Sequence, residues 1–581
     1  MNRSLLLTHR LLLASLLLVA CASRAEAFDF RLSGRLQTDI RFRTGEKTVG
    51  DFYDRQKLVS GVSRNENIAK LRLEVEAGRF IGVVEVDIVF IGILRNVEVF
   101  NDLTLRYKTD PYRLEAHAIY VEAADIFVDG LDIRIGQQKV LWGKGDQFNP
   151  TNNLNANDFE DQLLFGDQVA NTMVRVDYNP KGSFTISAVL IPIFKPAVLP
   201  RSAPLGLSLL DRLPFVEPQV RWRVHSEQSL IRAFGFPTVL RTATPILPER
   251  NFSNMMGAFR LAGTIAKQDV ALSYFIGRSD IPQPFANISR LDSTRRCDQG
   301  DPTNCINGAV LVDVGLHFPR VHVIGLNVAG QLDLLGWISK KIKPIGYRLE
   351  FGMYLPQESS IVLLQEQLDF GFFTQPRGEY DYNLDGGRRP LTVESKPFPK
   401  WSLGLDYSFN RYLYVNMQWV HGLADEFGAG DNLFSDGYTV RSGGADGNQT
   451  QLFACRFAGS TPGERCAREL LRPRIGDYLV IGLDVKLMSD KLLARLFMIL
   501  DLTGLVEEYF DPAQNQRVRR RVSPFSADGF SAVIFPQLTY NFGNGLELAA
   551  GALVKLGKDH TKFGDPAAGG TDIWTRARYS F

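Results

Sequence analysis

The sequence predicts an all-β protein: one transmembrane antiparallel β-barrel of about 16 strands, within a range of roughly 14 to 18. Three observations predict it. Apolar and polar residues alternate along many segments, short and long connections alternate between those segments, and the chain finishes in an amphipathic strand ending on an aromatic residue. Composition agrees. The 581 residues include 51 Gly, only 5 Cys and 11% aromatics, and the mean hydropathy is −0.08, as expected where strands are apolar on one face only.

Taken in order, residues 1–27 read as an export signal. Arg3 and Arg10 supply a basic start, Leu11 to Ala20 an apolar run, and Ala25-Glu26-Ala27 a small-x-small cleavage site before Phe28. The run is too short for a membrane helix, which needs about 20 residues. The competing reading is a lipoprotein box, Leu18-Val19-Ala20-Cys21, with Cys21 lipidated. Cleavage after Ala27 leaves 63 basic against 63 acidic residues, a balance that points away from nucleic acid as a partner.

The barrel is expected to occupy residues 28–581. In the first strand, Leu32, Gly34, Leu36, Thr38, Ile40 and Phe42 share one face, while Arg31, Ser33, Arg35, Gln37, Asp39, Arg41 and Arg43 share the other. A strand so long and so charged on one side suits lipid outside and water within, rather than a sandwich, whose strands run to about 5 or 6 residues. The pattern returns through residues 70–93, Tyr112 to Glu122, Leu131 to Leu141, Val169 to Tyr178 and Ser183 to Phe194. It resumes at Met256 to Ala266, Asp269 to Arg278, Val310 to Phe318, Val321 to Gln331, Pro344 to Leu355, Trp401 to Phe409 and Tyr412 to His421. Further strands are expected at Tyr478 to Ser489, Leu492 to Thr503, Ser531 to Phe542, Gly545 to Leu556 and Thr571 to Phe581. Connections such as 266–269, 409–412 and 489–492 are tight. The stretches 144–168, 195–255, 279–309, 356–400 and 422–477 are expected to fold inward or outside the cell, with a short helix over Leu205 to Leu213. That asymmetry of the two rims belongs to outer-membrane barrels. The final Phe581, with Tyr579 two places before it, suits recognition by the outer-membrane assembly machinery.

Cys297 with Cys305 and Cys455 with Cys466 form two close pairs in polar stretches between strands, and read as loop disulfides of an exported protein. Neither spacing fits a CxxC redox or zinc site.

The stretch Ile133 to Asp158 is the centre of the reading. It starts as a strand and becomes a run of Trp142, Lys144, Asp146, Gln147, Asn149, Asn152, Asn153 and Asn155. A buried, unpaired amide or charge costs roughly 1–3 kcal/mol, so these residues are expected either to line an aqueous space or to pair with one another, and are read as lining the lumen as an inward-folded constriction. The competing reading is a surface turn packed by Trp142. A second candidate is Arg517, Arg519 and Arg521, which share a face if Gln516 to Arg521 is a strand. Opposed by Glu507, Glu508 and Asp511, they would form a lumenal charge filter. The ordinary alternative is a solvated loop. Asp381, Asn383, Asp385 and Gly386 begin like a calcium loop, but Thr392 stands where the motif needs Glu. A second oxygen-rich loop is Asp425, Glu426, Asp431 and Asn432. His317 and His322 lack a third ligand. No metal or cofactor is expected, nor is catalysis, because GxSxG, HExxH and phosphate-loop motifs are missing.

The spacing Arg134-x-Gly136-x-Gln138-x-x-x-Trp142-Gly143, followed by Asn149-Pro150, resembles a porin-like family of Gram-negative outer-membrane β-barrels of unknown function. The hairpin from Gly257 to Tyr274, with Arg278, Ile281 and Pro282 after it, is similar too. The likeness covers the first half of the chain and the terminal strand. It implies an outer-membrane channel for solutes or lipophilic compounds, with Arg134 and Gln138 on the pore wall. The Asn-rich run from Lys144 to Asn157 departs from the family pattern. The expected partners are outer-membrane lipids, the assembly machinery and a small-molecule solute, with homo-oligomerisation left open. The readings to set against a channel are a scaffold or adhesin barrel, including an export-associated one, and a barrel-based lipid hydrolase.

Overall fold

The computed structural model describes residues 28–581 except 50–55, 94–99, 146, 165, 181–183, 204–225, 227–228, 298–302, 304, 334–342, 358, 366, 371–373, 376–377, 380–390, 394–395, 429–438, 441–444 and 460–464. The export signal and the expected helix over Leu205 to Leu213 lie outside the described residues.

Eighteen strands build the barrel: β1 Asp29–Arg43, β2 Gly61–Ala77, β3 Phe80–Ile91, β4 Tyr112–Ala123, β5 Leu131–Gln138, β6 Asn171–Tyr178, β7 Phe184–Ile191, β8 Met256–Ile265 and β9 Gln268–Arg278, then β10 Arg320–Leu332, β11 Ile345–Pro356, β12 Phe398–Ser408, β13 Leu413–His421, β14 Asp477–Leu487, β15 Leu492–Asp501, β16 Ser531–Asn541, β17 Leu546–Gly557 and β18 Asp572–Ser580. Each strand pairs antiparallel with the next in the chain. β18 then returns to β1, with Arg35 opposite Ser580 and Arg43 opposite Asp572. Closure removes every edge, so each strand's backbone groups are paired without water, which a lipid-facing wall requires.

Period-two alternation puts each strand's apolar face outward. On β1, Leu32, Leu36 and Phe42 are exposed, while Asp39 and Arg41 are buried against the lumen. The same holds for Leu272, Tyr274 and Ile276 outside against Ser273 and Phe275 inside β9, and for Ile573 and Tyr579 outside against Trp574 inside β18. A belt of this extent far exceeds the few hundred Å² of contiguous apolar surface that a water-soluble monomer exposes. Hydrocarbon is the medium that suits it. No helix among the described residues is long and apolar enough to cross a membrane; the strands do the crossing.

One rim carries the tight turns. Ala266 and Lys267 both have positive φ (51° and 65°), as a two-residue turn matched to strand twist requires. The other rim carries the long connections, and these form sheets of their own. A six-stranded sheet includes Thr238–Pro245, Gln283–Asp292, Ala309–His317 and Ser359–Gln365. A four-stranded one joins Thr439–Val440, Cys466–Leu471, Leu505–Asp511 and Gln516–Val522. Both expected disulfides are present at this rim. Cys297–Cys305 closes a small hairpin, and Cys455–Cys466 ties the helix Ala445–Phe457 to the strand beside it.

The strand number corrects the expected 16. Val310 to Phe318, expected as a barrel strand, instead belongs to the six-stranded loop sheet, where Ala309–His317 runs parallel to Thr238–Pro245. Alternation reports two unlike surroundings but does not say which surroundings they are. In that sheet, Val310, Val314 and Leu316 are buried by loops.

Candidate functional site

The connection from β5 to β6, residues 139–170, turns into the barrel and spans its bore. At one side, Thr151 donates to Asn327 on β10 (3.0 Å) and to Glu350 on β11 (3.2 Å). The backbone amides of Lys144 and Gly145 also donate to Glu350. At the other side, Asp161 receives both Nη atoms of Arg41 on β1 (2.6 and 2.7 Å), Glu160 pairs with Arg113 on β4 (3.3 Å), and Gln162 accepts from Lys555 on β17 (2.6 Å). In a ring of 18 strands, β1 and β10 are nine places apart, the widest separation the ring allows. The segment is therefore held at opposite points of the wall.

Its asparagines brace the segment itself. Asn155 is buried; it accepts from the Val140 amide (2.8 Å) and donates to the carbonyls of Gln138 and Val169 (both 3.1 Å). Asn152 accepts from the Trp142 amide (3.2 Å) and donates to Gln168 (3.1 Å). Asn153 donates to the Pro150 carbonyl (3.0 Å) and accepts from Tyr354 (3.1 Å). Asn153 thus closes a local turn through a side-chain to backbone bond, while Asn152 and Asn155 tie together stretches 10 to 17 residues apart. Trp142 is buried in an apolar cluster with Val140, Leu154, Met173, Ile191, Phe275 and Tyr354, which glues the segment to the inward faces of the strands. Lys144 reaches Asp269, next to the tight-turn rim on β9 (3.2 Å), while Gln147 is exposed. Asp146 lies outside the described residues.

On the wall, Arg134 pairs with Glu122 of the neighbouring strand (2.6 Å) and covers the Tyr120 ring. Gln138 is buried and donates to the Met173 carbonyl (3.3 Å). Between them, Gly136 has φ +137°, and a Cβ there would meet the Ile119 carbonyl oxygen at 2.3 Å. The glycine of the motif is needed for strand contact.

Above the segment, toward the long-loop rim, lies a cavity of about 700 Å³. Asn149, Asn152, Asn153 and Asn157 border it from the segment, and Phe194 to Ala203 from the Pro-rich connection. Its wall alternates aromatic and aliphatic groups (Phe148, Phe159, Met256, Leu316, Tyr354, Phe563) with charged ones (Asp280, Lys400, Asp425, Arg472, Lys555). Asp280, half-buried just past β9, takes the amide and side-chain N–H groups of Asn157 (2.7 and 2.8 Å) on one oxygen. Burial pushes its pKa up despite those bonds. Burial would raise Asp161 as well, but Arg41 outweighs it and holds this carboxyl well below the usual range.

Arg517, Arg519 and Arg521 do form a strand, but in the four-stranded loop sheet rather than the barrel wall. Arg519 lies opposite Glu508 and pairs with it (3.2 Å), and both are buried. Arg517 is buried as well, whereas Arg521 is exposed. The calcium-like Asp381 to Gly386, with Asp431 and Asn432, lies outside the described residues. Glu426 is enclosed by protein donors: the amides of Leu423 and Gly476 (both 3.0 Å), Tyr478 and Lys562. His322 meets Tyr274 (2.6 Å), and His317 stacks on Phe285. Sequence reasoning missed Glu160, Asp161, Arg41, Arg113, Thr151 and Glu350. Arg41 was visible as an inward charge on β1, and Asp161 as a continuation of the polar run past Asp158. Nothing in the sequence linked residues more than 100 positions apart.

No family model and no curated protein matches the chain. Among solved structures, it is similar to OccAB1 of Acinetobacter baumannii (10% identity, 95% of this chain and 96% of that one, TM-score 0.42) and to OccAB3 of the same organism (9%, 95% and 99%, 0.41). It is also similar to the outer membrane protein opdK of Pseudomonas aeruginosa (8%, 95% and 99%, 0.39). Likeness at this level carries no argument; the fold rests on the closed ring of pairings.

Proposed function

We propose that this barrel is a porin-like channel of the Gram-negative outer membrane that passes small or lipophilic solutes passively. In this reading the tight-turn rim faces the periplasm and the long-loop rim the exterior. The observation that carries it is the pairing of a lumen-crossing segment with a cavity on its long-loop side, walled by both aromatic and charged groups. A concave, mostly apolar site with a few fixed polar groups is what a small ligand needs. Lys144, Gln147 and Asn149, with Asp146, are the segment residues proposed to meet the solute. Gln138, Trp142, Asn152, Asn153 and Asn155 hold the segment in place, and the Arg134–Glu122 pair forms part of the wall below it. Arg517, Arg519 and Arg521 stabilise the loop sheet.

Single-channel recording in planar bilayers, with a panel of charged, neutral and lipophilic solutes, tests the reading. Discrete conductance steps blocked or slowed by a permeating solute support it. Complete electrical silence from folded protein overturns it. The apolar packing around Trp142, together with a second cluster around Tyr478, Phe563 and Trp574, favours one other reading, a sealed scaffold. Liposome swelling separates the two, since a scaffold admits no small solute.

A further inference from the structure

We infer that the lumenal wall carries a divalent transition-metal site made by Asp87 on β3 with Glu115 and His117 on β4. One ligand atom from each lies within 4.8 Å of the others. His117 Nε2 stands 3.2 Å from an Asp87 oxygen and 3.8 Å from Glu115 Oε2. Ligands bound at about 2.0–2.2 Å around a tetrahedral zinc ion sit roughly 3.3 Å apart, so the triad encloses a volume of the right size. Three protein ligands leave a coordination position for water or solute.

The register explains how β4 brings two ligands to one place. Asp87 lies opposite Glu115, and the ladder then slips so that Val86 pairs with Ala116 and Glu85 with Ala118. His117 is the extra residue of this bulge. Bulges re-aim side chains in this way, and here the imidazole points at the two carboxylates beside it.

Two further observations point to a cation. Asp87 is 6% exposed, and its Oδ1 and the His117 Nε2 are shut off from solvent. Neither atom makes a hydrogen bond of good geometry among the described residues, although Nε2 lies 3.2 Å from the other Asp87 oxygen. Buried polar atoms are rarely left so, and a metal ion would satisfy both at once. The nearest bases are committed elsewhere. Lys70 is 2.5 Å from Glu85 but 3.9 Å from Asp87, and Arg113 holds the other oxygen of Glu115 while pairing with Glu66 and Glu160. Carboxylate plus neutral imidazole suits zinc and its neighbours.

The test measures binding directly and so stands apart from the channel reading. Full-length protein in detergent, stripped with a chelator, is dialysed to equilibrium against Zn²⁺, and retained metal is measured by mass spectrometry. The wild type should hold one equivalent that His117→Ala loses, with affinity lower by about ten-fold or more, while Mg²⁺ is not retained. Heat-modifiable gel migration shows whether each variant is a folded barrel, and Asp87→Asn serves as the second variant if His117→Ala does not fold. Equal retention by the wild type and the folded variants, or no zinc bound by the wild type, overturns the site.

Discussion

Asp161→Ala should free one end of the lumen-crossing segment without unfolding the barrel. Asp39, Asp161, Arg41 and Arg576 form a balanced group: Arg41 binds both acids, and Arg576 binds Asp39 (2.7 Å). The side chains of Asp39 and Arg41 are 2% and 6% exposed, and Asp161 is 11% exposed. Removing Asp161 leaves two guanidinium groups, Arg41 buried and Arg576 half-buried, sharing one carboxylate. Breaking one side of a buried pair costs about 3–5 kcal/mol, and each 1.4 kcal/mol is roughly ten-fold in a population. The strand ladder does not depend on Asp161, so the loss falls on the docked segment, whose undocked population should rise by about 100-fold or more. Single-channel recording should show larger or flickering conductance from a barrel whose heat-modifiable migration is unchanged. Asp161→Asn should give a smaller effect, because an amide still accepts one of the Arg41 bonds. Conductance and gating identical to wild type in Asp161→Ala would refute the claim that this ion pair anchors the segment.

The pH dependence of that anchor has a definite sign. The Asp161 pKa is depressed, so its contribution is complete above the ordinary carboxylate range and is lost only as pH falls below it. The contribution of this ion pair to gating should therefore be flat from neutral pH down to about 5. Asp280 behaves in the opposite way: its raised pKa makes burial of the charge costly at high pH and relieves that cost as pH falls through the raised value. Asp280→Asn keeps an oxygen for both Asn157 bonds, so it should raise thermal stability at pH 8 and change nothing near pH 4. Gly136→Ala should strain the β4–β5 contact by about 1–3 kcal/mol or more, seen as a lower folded yield; a normal yield would show that the strand can yield there. Replacing Cys297 and Cys305 together by Ser should speed proteolysis of the 279–319 connection and leave conductance as in the wild type.

Much of the wall was legible because it depends on one physical contrast. Leu32, Leu36 and Phe42 facing out against Asp39 and Arg41 facing in can be read from β1 alone, and the tight turn at Ala266-Lys267 marks its hairpin. Alternation could not separate the barrel from a loop sheet at Val310, because loops bury one face of that strand as lipid or lumen would. The crossing segment was legible in its polarity but not in its use. Asn152 and Asn155 read as water-facing because an unpaired amide is costly, whereas in the fold they are paired with groups 10 to 17 residues away along the same connection and its flanking strands. Its tie to Glu350 was invisible because lumenal partners are set by ring order. The bulge that turns His117 toward Asp87 also left no trace, since one extra residue in a long strand preserves apolar character on both sides.

The last strand seals the first. Without Asp572 to Ser580, β1 and β17 each keep one neighbour and lose the other, and the ring of pairings stays open. A chain shortened by those residues would present two unsatisfied margins and an oily exterior at once, which favours aggregation. Closure is therefore all or none at this seam: losing the one strand Asp572 to Ser580 unpairs both of its neighbours together.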